Sequence, residues 1–172
     1  MKKGHLPEGE QIYRSNVSFI TFRGPEFLLV NLLQWPPDYW KFPQGGVNPE
    51  ESPEQAVKRE FQEELGTDKI KILGKSKITR KYAWRKPINI DNKLYVGQNQ
   101  TFFLVEFLGD DSDIAIKDDE IRTFCWTTIF DLKRVINRRE LDFRGYWETI
   151  RSVLKEQCDT LNSYGISVNT ID

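Results

Sequence analysis

The amino-acid sequence predicts an α/β domain, and three observations carry that prediction. Runs rich in β-branched and aromatic residues recur through the first two thirds of the chain, which is the composition of strands. One well-capped helix signal interrupts them, and an apolar stripe at helical spacing closes the chain. With 172 residues, 38% of them hydrophobic and 30% charged, there is enough apolar material for a sizeable core. That composition excludes collagen, coiled coil and disorder, and one domain is expected over 1–172, its core from about 12 to 162 and its short termini free to move.

Val17 to Phe22 (VSFITF) and Phe27 to Leu33 (FLLVNLL) flank the turn signal Gly24-Pro25 and read as a strand pair, closed by Pro36-Pro37. Trp40 to Gly46 (WKFPQGG) holds a proline and two glycines, so no regular element is expected there, only backbone held close to something. Ser52 suits an N-cap with Gln55 three residues later, Pro53 fits the first helical position, and Gly66 stops the helix after Leu65. Lys69 to Leu73 and Lys75 to Trp84 alternate as strands, Gln100 to Leu108 is a strongly apolar one, and Thr123 to Thr127 is one more. A short helix is expected near Ile129 to Ile136 and a longer one from Arg144 to Leu161. Its stripe of Tyr146, Ile150, Val153, Leu154 and Leu161 reads as core, and the tail from Ser163 to Asp172 is expected to fray.

The charges nearly cancel, 25 Lys plus Arg against 26 Asp plus Glu, so the chain does not advertise a surface that binds nucleic acid or membrane throughout. Cys125 and Cys158 make neither a disulfide framework nor a CxxC metal motif and are expected as reduced thiols, Cys125 in the core. No apolar run approaches the roughly 20 residues that span a bilayer, and Met1-Lys2-Lys3-Gly4-His5 leads into polar sequence, so a cytoplasmic protein with no membrane partner is expected. His5 is the one histidine, which argues against histidine-based catalysis.

Chemistry concentrates in the capped helix. Glu60, Glu63 and Glu64 stand at i, i+3 and i+4 and so share an arc of about 100°. Like charges at these spacings repel, and either basic neighbours (Lys58, Arg59) or a divalent cation must offset the repulsion. The wider pattern is Gly45, five residues, Glu51, seven residues, then Arg59-Glu60-Phe61-Gln62-Glu63-Glu64-Leu65-Gly66-Thr67. It resembles the Nudix box at every fixed position but the last, where Thr67 replaces an aliphatic residue.

This resemblance implies an α/β/α sandwich around a mixed sheet, with the box helix at the active site. It also implies hydrolysis of a phosphoric anhydride with Mg²⁺ or Mn²⁺, more than one ion per site. Glu60, Glu63, Glu64 and the main-chain carbonyl of Gly45 would be metal ligands, Glu60 the first choice as general base with Glu64 beside it. Glu51 and Arg59 would brace loop against helix as an ion pair, with Gly66 as a structural stop.

Flanking residues narrow the resemblance. Trp40-Lys41-Phe42-Pro43-Gln44-Gly45-Gly46-Val47-Asn48-Pro49, followed by Glu51-Ser52, is similar to the loop of the bacterial RNA pyrophosphohydrolases and diadenosine polyphosphate hydrolases. Tyr13-Arg14-x-Asn16-Val17 and Val96-Gly97-Gln98-x-Gln100 match as well, and Glu120 before Trp126 matches a fourth carboxylate, a further ligand or base. The subgroup implies substrate contacts at Arg14, Lys41, Gln44, Gln98 and Arg139.

Lys75, Lys77, Arg80, Lys81, Arg85 and Lys86 are interleaved with Tyr82 and Trp84, with no acid before Asp91. Such a stripe can follow phosphates while an aromatic ring stacks on a base, with Arg80 and Tyr82 as the contacts; the other reading is a solvated edge strand guarded by lysines. A second basic group is Arg134, Arg138 and Arg139. Where the RNA enzymes carry a base-stacking aromatic this chain aligns Arg138, with Phe143 out of register. The expected function is removal of pyrophosphate from the 5′-triphosphate end of RNA. A dinucleoside polyphosphate hydrolase is the alternative, followed by a hydrolase of oxidised dGTP and a non-catalytic nucleotide or RNA sensor.

Overall fold

The computed structural model describes residues 11–116, 119–136, 145–169 and 171. Strands β1 (Ile12–Arg23), β2 (Glu26–Leu32), β3 (Gln44–Gly46), β4 (Ile70–Ile90), β5 (Lys93–Phe107) and β6 (Ile121–Thr128) form one mixed sheet. Its order is β4-β5-β1-β2-β6, with β3 paired to β1. β1 and β5 run parallel and the other pairs antiparallel. The helices are α1 (Pro53–Leu65), α2 (Ile129–Ile136), α3 (Tyr146–Glu156) and α4 (Cys158–Ser163).

Side-chain alternation along the central strands builds two cores. Val17 and Phe19 of β1, with Phe103 and Val105 of β5, pack against Val57, Phe61 and Leu65 of α1. Ile20 and Phe22, with Phe102 and Leu104, pack against Leu132, Ile150, Val153 and Leu161 of the later helices. Every residue from Asn16 to Phe22 is buried because β1 is covered on both faces, which is why it reads as a continuous run. Each fully buried Phe or Leu contributes about 1.5–3 kcal/mol relative to exposure. The expected α/β/α sandwich is this arrangement.

Helix α1 has the expected bounds. Ser52 accepts from Gln55 N, Gln55 answers to Ser52 N, and Gly66 ends the helix at φ 70°. Elsewhere the structure corrects the reading. The two short strands expected over 69–84 are one strand, β4, that continues to Ile90, and β5 begins at Lys93 instead of Gln100. Asp91 and Asn92, with φ of 49° and 62°, make the two-residue turn between them. Pro87 is tolerated because β4 is an edge strand.

The glycine loop is not wholly irregular either. Gln44, Gly45 and Gly46 pair with Ser18, Val17 and Asn16, and Lys41 bridges to Val30. The long C-terminal helix breaks at Gln157 (φ −92°, ψ 14°) into α3 and α4, a break the apolar stripe passes over. The expected fraying fails for Ile166, Val168 and Ile171, which are buried against the second core. Cys125 is only partly buried, at the margin of that core, where desolvation pushes its thiol up to about 11. Among the described residues no helix is long and apolar enough to cross a membrane.

Candidate active site

The glycine loop and α1 are held together by one guanidinium. Arg59 donates from Nε to Glu51 Oε2 (3.0 Å) and from Nη2 to Glu51 Oε1 (2.5 Å). Nη2 also donates to the Gly46 carbonyl at 2.7 Å, and Nη1 to Glu60 Oε1 at 2.8 Å and Glu63 Oε2 at 2.9 Å. Asn48 N donates to Glu51 Oε1, so the carboxylate ties the loop to the helix start. Arg59 holds the Glu51 carboxyl below its ordinary value, and the Arg59 guanidinium is correspondingly raised. Repulsion along the glutamate face is thus offset by a basic neighbour, one of the two offsets the sequence allows.

Glu60 lies over Gly45, where a side chain would collide with its carboxyl. Burial pushes the Glu60 carboxyl up, while Arg59 and the more distant Arg14 pull it down. Glu64 is 6% exposed and points to the same cavity as Glu60, Glu63 and Glu120. Lys41 stands among them, its ammonium pushed down to about 8 by burial although Glu64 and Glu120 oppose that shift. Its Nζ lies 5.0 Å from the Trp35 ring centroid.

The cavity has a volume of about 700 Å³. Its carboxylate end offers hard oxygen donors, four glutamates beside the Gly45 backbone, a donor type that suits Mg²⁺ or Mn²⁺. Among the described residues no three acidic, His or Cys side chains are gathered closely enough to hold an ion. Glu60 and Glu63 are gathered on Arg59 Nη1 instead, so a dication would compete with that guanidinium for them.

The cavity floor is a set of sheet rungs. Register places Arg80 of β4 beside Gln100 of β5, Gln100 beside Asn16 of β1, and Asn16 beside Gly46 of β3. Two residues on, Tyr82, Gln98 and Arg14 form the next rung. Rung partners share a face of the sheet, so polar groups distant in sequence converge there. Gln100 Nε2 donates to Asn16 Oδ1 (3.0 Å) and Gln44 Oε1 (2.5 Å), and Gln98 Nε2 donates to Tyr82 Oη. The Arg14 guanidinium lies against Gly46, in the space a side chain at that position would need.

Twelve of the expected residues line this cavity: Arg14, Lys41, Gln44, Gly45, Arg59 and Glu60, and likewise Glu63, Glu64, Arg80, Tyr82, Gln98 and Glu120. Glu51 acts from behind through Arg59, and Gly66 caps the far end of α1. Of the basic stripe only Arg80 lines the cavity, together with Tyr82 and Trp84, while Lys75, Lys77, Lys81, Arg85 and Lys86 are exposed and do not line it. Arg134 is paired with Asp131 at 2.9 Å. Arg138, Arg139, Phe143, His5 and Asp118 lie outside the described residues.

The sequence reading missed Trp35, Tyr39 and Tyr146 as cavity residues. Tyr146 is in the core as expected, yet its hydroxyl also accepts from Phe42 N at 3.1 Å, beneath the glycine loop. A tyrosine on an otherwise aliphatic stripe was the available signal. Trp35 and Tyr39 meet edge to face at 5.7 Å in a segment the sequence marks only as a break.

The family model described as NUDIX domain matches residues 12–147. The RNA pyrophosphohydrolase of Wolbachia pipientis wMel is 33% identical over 157 residues, 87% of this chain and 96% of that protein. The RNA pyrophosphohydrolase of a Nitratiruptor species is 35% identical over 122 residues, 64% of this chain and 79% of that protein. Among solved structures, a C. elegans Ap4A hydrolase binary complex has a TM-score of 0.56 at 20% identity, covering 83% of this chain and 98% of that one, a likeness of fold.

Proposed function

This chain belongs to the NUDIX domain family, and from that premise we propose that it is a metal-dependent pyrophosphohydrolase acting in the cytoplasm on the 5′-triphosphate end of RNA. It cleaves the anhydride bond between the α and β phosphates, consuming one water and releasing pyrophosphate and a 5′-monophosphate end. The observation that carries this reading is that one cavity joins the glutamates of the box to Arg14 and to a wall of Arg80, Tyr82 and Trp84. That pairing suits a substrate with several phosphates at one end and bases at the other. The relatives named RNA pyrophosphohydrolase support it.

Glu60, Glu63, Glu64, Glu120 and the Gly45 carbonyl would hold Mg²⁺ or Mn²⁺, with more than one ion in the site. A bound dication supplies neutralisation of phosphate charge and a more acidic water. The chain itself supplies the rest. Glu60 takes the water proton, with Glu64 and Glu120 as the other carboxylates in reach of the cavity. Arg59, at the cavity wall, orients Glu60 and Glu63 through its Nη1 hydrogen bonds. Arg14, Lys41, Gln44 and Gln98 hold the phosphates, and Tyr82 offers its ring to a base.

A panel of triphosphorylated RNA, diphosphorylated RNA, diadenosine tetra- and pentaphosphate and free nucleotides, each with Mg²⁺ or Mn²⁺, tests this. Pyrophosphate release and a monophosphate RNA end are expected. Turnover of the diadenosine polyphosphates with none of RNA would replace the reading by the dinucleoside polyphosphate hydrolase.

A further inference from the structure

Arg80 is a charged side chain in an unusual place. It is 8% exposed, lies on the edge strand β4, and lines the cavity on the side of the floor away from α1. Its guanidinium carbon stands 4.4 Å from the Tyr82 ring centroid and 5.4 Å from that of Tyr146. Two aromatic faces hold a planar cation in one orientation and repay part of its desolvation. Both rings are uncharged phenols whose titration burial pushes up, so they hold Arg80 by their faces without neutralising it.

The rung Arg80, Gln100, Asn16, Gly46 spans three strand spacings, about 14 Å between backbones. At its β3 end the Arg14 guanidinium covers Gly46, next to the glutamates, and between the two cations lie the amides of Gln44 and Gln98. The floor is therefore a neutral hydrogen-bonding track with a cation at each end. We propose that Arg80 is a second phosphate-binding site, separate from the carboxylate end, that receives the phosphate of the substrate remote from the one held by Arg14. It makes this chain select longer polyphosphates, a triphosphate end over a diphosphate end. This specificity role rests on the pyrophosphohydrolase reading, whereas the anion site itself does not.

Titration calorimetry with inorganic tripolyphosphate, in the absence of divalent cations, reads the site directly. Wild-type protein is expected to bind, and Arg80→Met to bind about tenfold or more weakly, the loss a charged hydrogen bond implies. Should Arg80→Met fail to fold, Arg80→Lys keeps charge without the planar fork and is expected to bind several-fold more weakly at an unchanged melting temperature. In turnover, the KM for triphosphorylated RNA should rise with kcat nearly constant, and the preference over diphosphorylated RNA should shrink. Tripolyphosphate binding that is absent in the wild type, or equal in wild type and folded variants, overturns the proposal. RNA turnover with unaltered tripolyphosphate binding in Arg80→Met would remove the Arg80 site and leave the pyrophosphohydrolase reading standing. Tripolyphosphate binding that depends on Arg80 without RNA turnover would do the reverse.

Discussion

Gly45 and Glu60 occupy each other's space: the glutamate carboxyl fills the position where a side chain on Gly45 would stand. Gly45 is not among the residues with positive φ, so the demand is for room and not for backbone freedom. Gly45→Ala should displace Glu60 and lower turnover about a hundredfold, as small misplacements of reacting groups do. The overpacking should cost about 1–3 kcal/mol of stability. Gly24→Ala is the control: nothing lies within 4 Å of its Cβ, but φ is 54°, so about 1 kcal/mol of stability should go while turnover stays. Steady-state kinetics and urea denaturation of both variants check this.

The Glu51–Arg59 pair predicts a pH signature. Arg59 depresses the Glu51 carboxyl below its ordinary 4.5, so the stabilisation is fully present above that value and is lost as pH falls through the folded-state value. Both side chains are largely covered, at 14% and 27% exposure. Glu51→Gln should cost about 1–3 kcal/mol at neutral pH. Its denaturation curve should converge on that of the wild type as the pH drops below 4.5. A gap that stays constant with pH would show that the ionised pair is not what holds the loop.

Helix α1 was legible because its physics is local, with cap, stop and glutamate face all lying between Ser52 and Gly66, whereas the Glu51–Arg59 pair was implied by the family resemblance. The floor was not legible. Gln100 meets Gln44 and Asn16 across sequence separations of 56 and 84, and only strand register brings them into one rung. The sequence marked Asn16, Gln98 and Gln100 as matches to a family pattern without saying that they touch. The β4–β5 hairpin hid for another reason: Asp91-Asn92 supplies its turn without glycine, and basic residues and Pro87 mask the strand character of 85–90.

Tyr146 joins α3 to the glycine loop across 104 residues by accepting from Phe42 N. Both partners are buried, so Tyr146→Phe leaves the Phe42 amide without its acceptor and should cost about 1–3 kcal/mol. Because Phe42 leads through Pro43 into Gln44 and Gly45, kcat should fall along with stability. Hydrogen exchange at the Phe42 amide separates the two effects. Faster exchange at that amide with unchanged exchange in β5 means a loosened loop, while uniform acceleration means global destabilisation.

Glu63 decides between the two offsets for the glutamate face. Its side chain is 56% exposed and its hydrogen bond is to Arg59 Nη1 at 2.9 Å, so Glu63→Gln should shift stability by no more than about 0.5 kcal/mol. If Glu63 were only a solvated acid relieved by Arg59, hydrolysis would persist. As a metal ligand its loss should lower turnover about a hundredfold or more, the several kcal/mol of charge stabilisation a dication supplies. Mn²⁺ binding followed by electron paramagnetic resonance should weaken in the same variant. A chelator should stop the wild-type enzyme and added Mg²⁺ restore it, whereas Glu63→Gln should stay inactive at Mg²⁺ concentrations that saturate the wild type. Wild-type turnover in Glu63→Gln would return this face to surface chemistry alone.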